Sequence, residues 1–244
     1  MSVERLRYEL KLMGKRVLLT PPLVMLCYTL FSVLLHYLRV DPARFLSSSL
    51  EMILPLAAGI VVATIISHDF AIELQLTAPA LYRWTAFARL LLIAAWTMCI
   101  ALLSSIVLSA VHLGYVPGQQ HPLPAPLPFL IDQLTWFANV AWFVAVGLCL
   151  ALLTRSRTSA GALLAGIWLV EILFKDYLAA VNWLRPVLLF PTTLLALTGP
   201  LPQQLFNAWL TNRLEVLGTA VILLPLGWVL LHNTEGLLKG ADEE

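Results

Sequence analysis

The chain has 244 residues, of which 60% are hydrophobic and 12% charged, with a formal net charge of +1. A soluble domain carries about 25% charged residues, so the apolar excess belongs in lipid, in keeping with a mean hydropathy of +0.85. A near-neutral chain lacks the clustered basic face that nucleic acid requires. Cys27, Cys99 and Cys149 all fall in apolar runs without CxxC spacing and indicate neither a disulfide frame nor a metal site.

The N-terminal stretch holds Glu4, Arg5, Arg7, Glu9, Lys11, Lys15 and Arg16, and no small-residue cleavage site follows the first apolar run. It does not read as a secretory signal. The expected home is a bacterial or archaeal cytoplasmic (inner) membrane. Val3, Leu6, Leu10 and Met13 recur on one helical face, with Arg5, Arg7, Glu9 and Lys11 on the others. That pattern predicts an amphipathic helix lying in the membrane interface; the alternative is an ordinary charged cytoplasmic tail.

A membrane-crossing helix needs about 20 apolar residues. Candidate spans follow at Val17 to Leu38, Leu50 to Ser67, Leu90 to Leu113, Phe129 to Leu153, Ala160 to Phe174 and Leu214 to Leu231. Pro21 and Pro22 sit in the first turns of the first span, where a missing backbone donor costs least. The second contains Pro55, and Gly59 with Ala63 in small-xxx-small spacing. The segment Asp176 to Asn212 is apolar from Leu184 to Leu201 but carries Pro186, Pro191, Pro200 and Pro202. A single helix in lipid could not satisfy the backbone groups these prolines free. Two short helices dipping into the membrane and returning are predicted, with a seventh full span as the alternative.

The basic residues set the orientation. With six spans and a cytoplasmic N-terminus, the inner side receives Arg5, Arg7, Lys11, Lys15, Arg16, Arg83, Arg89, Arg155, Arg157 and Lys239. The outer side receives Arg39, Arg44, Lys175, Arg185 and Arg213. This obeys the positive-inside rule. The loop Val116 to Pro128, without Lys or Arg, suits the outside, and the tail His232 to Glu244 is then cytoplasmic. The fold class is all-α integral membrane, and residues 1–244 form one transmembrane domain.

Chemistry-bearing motifs are sparse. No GxxxxGK[ST] phosphate loop, HExxH or GxSxG occurs. His36, His68, His112, His121 and His232 are scattered, mainly near span ends, where an amphipathic ring suits the interface. Glu171 and Lys175 are spaced i, i+4 and can pair on one helix face, as a structural ion pair or as part of a translocation path. Asp132 and Glu51 lie near outer span ends within reach of headgroup water, and Glu215 beside Arg213 reads the same way. Trp136, Trp142, Trp168 and Trp183 read as packing residues or interfacial anchors. Gly161 with Ala165, and Ala162 with Gly166, give small-xxx-small faces, for packing within the chain or against a second subunit.

The most distinctive polar stretch is His68 to Arg89, HDFAIELQLTAPALYRWTAFAR, between the second and third spans. Phe70, Leu74, Leu81 and Trp84 fall roughly on one helical face, and Pro79 ends one helix and suits the start of the next. A kinked amphipathic elbow under the membrane is predicted. The elbow sequence Glu73-Leu74-Gln75-Leu76-Thr77-Ala78-Pro79, followed by Arg83 and Arg89, resembles the loop between spans two and three of type-2 ABC exporter permeases. The N-terminal interfacial helix, the six spans and the re-entrant segment before the last span resemble that family over nearly the whole chain. The chain departs from the commoner pattern in lacking a Gly shortly after the Glu and in having His68-Asp69 where a basic residue is usual.

The resemblance implies a non-catalytic permease subunit. In that family the elbow is a coupling helix docked in a groove of a separate ABC ATPase subunit, which binds ATP and Mg. Asp69, Phe70, Glu73, Leu74, Pro79 and Leu81 would carry that contact. A second membrane subunit, identical or homologous, would complete the path. The competing readings are a membrane-embedded lipid-modifying enzyme built on His68, Asp69 and Glu73, and a non-transporting assembly subunit. Adjacent residues on a helix do not face each other, which counts against a His68–Asp69 dyad.

Overall fold

A computed structural model describes residues 3–39, 42–67, 79–110, 117–119, 127–195, 197 and 199–231. Helix α1 (Val3–Tyr37) is two helices in one, because Gly14 interrupts it at φ 76°, ψ 160°. That conformation suits a residue without Cβ. A separate N-terminal helix therefore precedes the first apolar helix, Val17–Tyr37.

Helix α2 (Ala43–Ser48) passes through a π-helical turn, Ser49–Ile53, into α3 (Leu54–Ser67). The turn lies directly before Pro55. Proline cannot send an N–H to the carbonyl four residues back, which is that of Glu51. The widened turn accommodates this interruption without ending the span.

Helix α4 (Pro79–Ala110) begins on Pro79, as the sequence predicts for a proline at a first helical position. It is longer than the expected third span because it includes Trp84 and Arg89. Helix α5 (Leu127–Thr154) is followed by α6 (Arg157–Leu173), whose N-cap Ser156 side chain accepts from the Ser159 N–H at 3.3 Å.

Beyond α6 the chain breaks up, as its prolines require. It forms α7 (Lys175–Ala180), a 3-10 turn (Asn182–Val187) and α8 (Pro191–Leu194). Helix α9 (Gln203–Leu230) begins just after Pro202, well before the expected Leu214. The segment Asp176 to Asn212 is thus a broken stretch plus the first turns of α9. A short strand β1 (Pro117–Gln119) pairs in parallel with β2 (Gly199–Leu201) and ties the loop after α4 to the chain before α9.

Among the described residues, five helical stretches are long and apolar enough to cross a membrane: Val17–Tyr37, Phe45–Ser67, Trp84–Ala110, Leu127–Thr154 and Gln203–Leu230. Helix α6, at 17 residues, is shorter. The contacts fix relative directions. Glu51 meets Asn139 while Gly59 meets Phe143 and Gly147, so α3 and α5 run the same way. Arg213 meets Thr135 while Cys149 meets Leu223, so α9 runs with them. Helix α1 opposes α2, since Met25 meets Ser49 and Phe31 meets Phe45. Trp84 at the start of α4 packs on Trp228 at the end of α9, so α4 also runs the other way.

The centre of the bundle is α3 against α5, with α9 on the far side of α5. The α3–α5 contact is close enough that a Cβ at Gly59 would lie 2.8 Å from the Phe143 carbonyl oxygen, and one at Gly147 2.6 Å from the Gly59 carbonyl oxygen. The exterior is strongly apolar: Leu30, Val107 and Ile222 are 62%, 60% and 71% exposed. Charged Glu51 and Arg213 are meanwhile fully buried. An apolar exterior, with the buried charges turned inward and paired, is the distribution lipid demands.

Candidate functional site

Among the described residues, the largest polar feature is a buried cluster where the first turns of α5 and α9 meet the α2–α3 turn and the broken segment after α6. It grows from the break at Pro55. The Glu51 carbonyl, denied its helical donor, accepts from Asn139 Nδ2 of α5 at 2.8 Å. Asn139 Nδ2 also reaches the Thr135 carbonyl at 3.4 Å. Its Oδ1 accepts from Arg213 Nη1 at 3.1 Å.

Arg213 spreads its guanidinium across four elements. Nη1 also donates to the Thr135 carbonyl at 3.3 Å, and Nη2 to the Leu189 carbonyl at 2.8 Å and to Asn212 Oδ1 at 3.0 Å. Nη1 lies 3.7 Å from Glu51 Oε1, with both side chains fully buried. The planar fork of arginine suits such multiple recognition in a way lysine could not.

The Glu51 carboxylate has further donors. It accepts from the backbone N–H of Thr192 at 3.1 Å and of Thr193 at 2.6 Å. These belong to the first turn of α8, whose leading N–H groups have no partner inside the helix. Pro191 stands at the first helical position, where the lack of an N–H is harmless. Trp209 Nε1 of α9 donates to Thr192 Oγ1 at 3.0 Å, and Asn212 Nδ2 to the Leu188 carbonyl at 3.1 Å. Residues 188–190 and the single turn of α8 are thus held in place by side chains of other elements.

Glu171 completes the cluster from α6. It is 1% exposed, and its Oε2 accepts from the Leu189 N–H at 3.2 Å. It makes no ion pair with Lys175. The helix breaks at Phe174, Lys175 opens α7, and the i, i+4 relation requires one continuous helix. The expected pair is corrected accordingly: Glu171 turns inward toward the Arg213 side of the bundle.

The expectation that Glu51 and Arg213 reach headgroup water is also overturned, because residues 188–193 cover both. Sequence reading did not single out Asn139, Asn212, Thr192 or Trp209 as parts of a site. A usable signal was present, since Glu51 lies four residues before Pro55 and its carbonyl must find a donor elsewhere. Of the proposed coupling residues, Asp69, Phe70, Glu73 and Leu74 lie outside the described residues, as does the side chain of Leu81. Pro79 is the first residue of α4.

The cluster joins the α2–α3 turn, α5, α6, α8 and α9 at one end of the bundle. Residues 68–78 follow the other end of α3. From Glu51 to Ser67 the helix rises about 24 Å at 1.5 Å per residue. A separate groove of about 550 Å³ lies between α1 and α4, lined by Met25, Thr29, Ser32, His36, Ser104 and Val107 among others. Gly161 and Gly166 on α6 have open space where a Cβ would stand.

No family model, curated protein or solved structure matches the chain. Five membrane-length apolar helices and a strongly apolar exterior mark the chain as a multi-pass, helical membrane protein.

Proposed function

We propose that this chain is the membrane-spanning subunit of an ATP-driven exporter of the type-2 ABC class, working with a separate ATPase subunit. It crosses the bilayer six times, with α6 as the fifth span and both termini in the cytoplasm. The observation that carries this reading is the alternation of helix direction. Helices α1, α4 and α6 run one way and α3, α5 and α9 the other. The 68–78 elbow and the Arg155–Arg157 turn then fall on the same end as the N-terminal helix. The broken stretch after α6 falls on the opposite end. That is the layout the sequence resemblance implies, and it satisfies the positive-inside rule.

In this mechanism ATP-driven closure of two ATPase subunits pushes on the elbows. Helices α3 and α4, which the elbow connects, transmit the push. The tight α3–α5 contact at Gly59 and Gly147 makes α3 and α5 move as a unit, because a close-packed interface does not deform continuously. The Glu51–Arg213 cluster braces the far end. The uncovered Gly161–Gly166 face of α6 suits a second membrane subunit. The chain itself carries no phosphate-binding loop, so ATP and Mg reside on the partner.

The test is affinity purification of the chain in mild detergent, with identification of what accompanies it. A stoichiometric ATPase bearing a phosphate-binding loop is expected. A pure preparation that turns over a lipid without ATP sinks the reading in favour of an enzyme.

A further inference from the structure

The buried cluster contains two carboxylates and one guanidinium. Glu51 and Arg213 are fully buried and 3.7 Å apart, and Glu51 takes two further backbone N–H donors. Its ion pair with Arg213 and its two backbone N–H donors favour the ionised form of Glu51 against its burial, which makes it the counter-charge of Arg213. Glu171 is then in excess. One of its oxygens is held by the Leu189 N–H, while Oε1 is buried without a hydrogen-bond partner among the described residues. An uncompensated carboxylate inside a membrane is costly, and such a group is neutralised rather than left charged.

We propose that Glu171 is a proton-binding site, its Oε1 taking one proton from water so that the Glu51–Arg213–Glu171 cluster is electrically neutral in the resting protein. The reaction is the simple association of a carboxylate with a proton to give a neutral carboxylic acid. The charged groups around it are few. Helix α9 contributes Arg213, already shared with Glu51. The α2–α3 turn contributes Glu51, which takes up the charge of Arg213. Lys175 at the start of α7 does not pair with Glu171. The side chain of Arg185, in the 3-10 turn, lies outside the described residues and is addressed by the test.

A proton suits the site better than a metal cation. Alkali and alkaline-earth ions require several oxygen ligands, whereas Glu171 presents a single unpartnered carboxylate oxygen. The proton also bears on how the segment is held, since Glu171 grips Leu189, whose carbonyl is in turn gripped by Arg213. Loss of the proton would leave the cluster with a second negative charge that Arg213, already paired with Glu51, does not offset, and favour an arrangement in which residues 188–193 admit water. The inference rests on the cluster alone and stands or falls independently of the exporter reading.

The test is infrared difference spectroscopy of the full chain in phospholipid nanodiscs across a pH titration. The carbonyl-stretch band of a buried protonated carboxylic acid is expected at neutral pH. It should shift when the unmutated protein is labelled with 13C-carboxyl glutamate, vanish in Glu171→Gln, and persist in Asp132→Asn. An absent band overturns the proposal and points to a cation such as Arg185 as the partner. A band that ignores the glutamate label, or that survives Glu171→Gln, overturns it as well. A band that sodium abolishes at constant pH makes the site an alkali-cation site and equally refutes the proposal.

Discussion

At the scale of single residues, Arg213 is the centre of the molecule's polar chemistry. It binds the carbonyls of Thr135 and Leu189, the amides of Asn139 and Asn212, and the charge of Glu51. Removing one member of a buried ion pair strands the other, at about 3–5 kcal/mol. Arg213→Ala should therefore destabilise the detergent-solubilised protein by that order, read as a lowered midpoint in denaturant titration. Because the two groups share one network, the double variant Glu51→Gln with Arg213→Gln should lose less than the sum of its single variants. The expected coupling is about 0.5–3 kcal/mol; strict additivity would show that the pair does not interact. Asn139→Leu keeps the volume but orphans the Glu51 carbonyl and one Arg213 donor. It should cost about 1–3 kcal/mol.

At the scale of elements, the contact between α3 and α5 is set by two glycines, and each helix presents backbone to the other. Gly59→Leu or Gly147→Leu must push the helices apart, since even a Cβ would fall within 2.8 Å of the facing carbonyl oxygen. Both variants should fail to give monodisperse protein on size exclusion. Gly161→Ala and Gly166→Ala, facing open space within the chain, should leave the fold of the isolated subunit intact. They weaken only its pairing with a second subunit, which cross-linking would read. Gly14 serves another need, a left-handed break between the N-terminal helix and the first span. The broken stretch after α6 likewise has a definite cause: its prolines deny it a helix, and the side chains of Glu51, Glu171 and Arg213 supply the missing hydrogen-bond partners.

At the scale of the whole molecule, the alternating helix directions make a topological prediction. Ser156→Cys, in the turn between α5 and α6, should react with a membrane-impermeant maleimide only after the cells are opened. Gln119→Cys, in β1, should react from outside. The native Cys149 is buried and should remain unlabelled in both cases. If both introduced positions label from one side, the six-span layout is wrong. The exporter mechanism makes a further prediction for the elbow. Glu73→Arg combined with Leu74→Asp should abolish ATP-dependent transport by the reconstituted complex while the chain still inserts into the membrane. Unimpaired transport would remove the elbow from the coupling path.

Much of the helical layout was legible in the sequence because lipid imposes it. A run of about 20 apolar residues has one economical structure in a bilayer, and proline marks where that structure must stop. The places of five membrane-length helices, the break between the N-terminal helix and the first of them, the start of α4 at Pro79 and the broken segment after α6 follow from these local rules, whereas the early start of α9 at Gln203 does not. The sites of the charges did not. Glu51 and Arg213 looked like residues at the water boundary because their depth depends on what covers them, and residues 188–193 do the covering. The spacing of Glu171 and Lys175 suggested a pair because spacing assumes a continuous helix, and the break at Phe174 removes that assumption. By itself, then, the sequence determined that the chain carries several membrane-length helices and roughly where they stop, but not where the second and the last begin. Only the tertiary structure decided which polar groups meet, because burial and pairing arise from segments more than a hundred residues apart, as between Glu51 and Thr192.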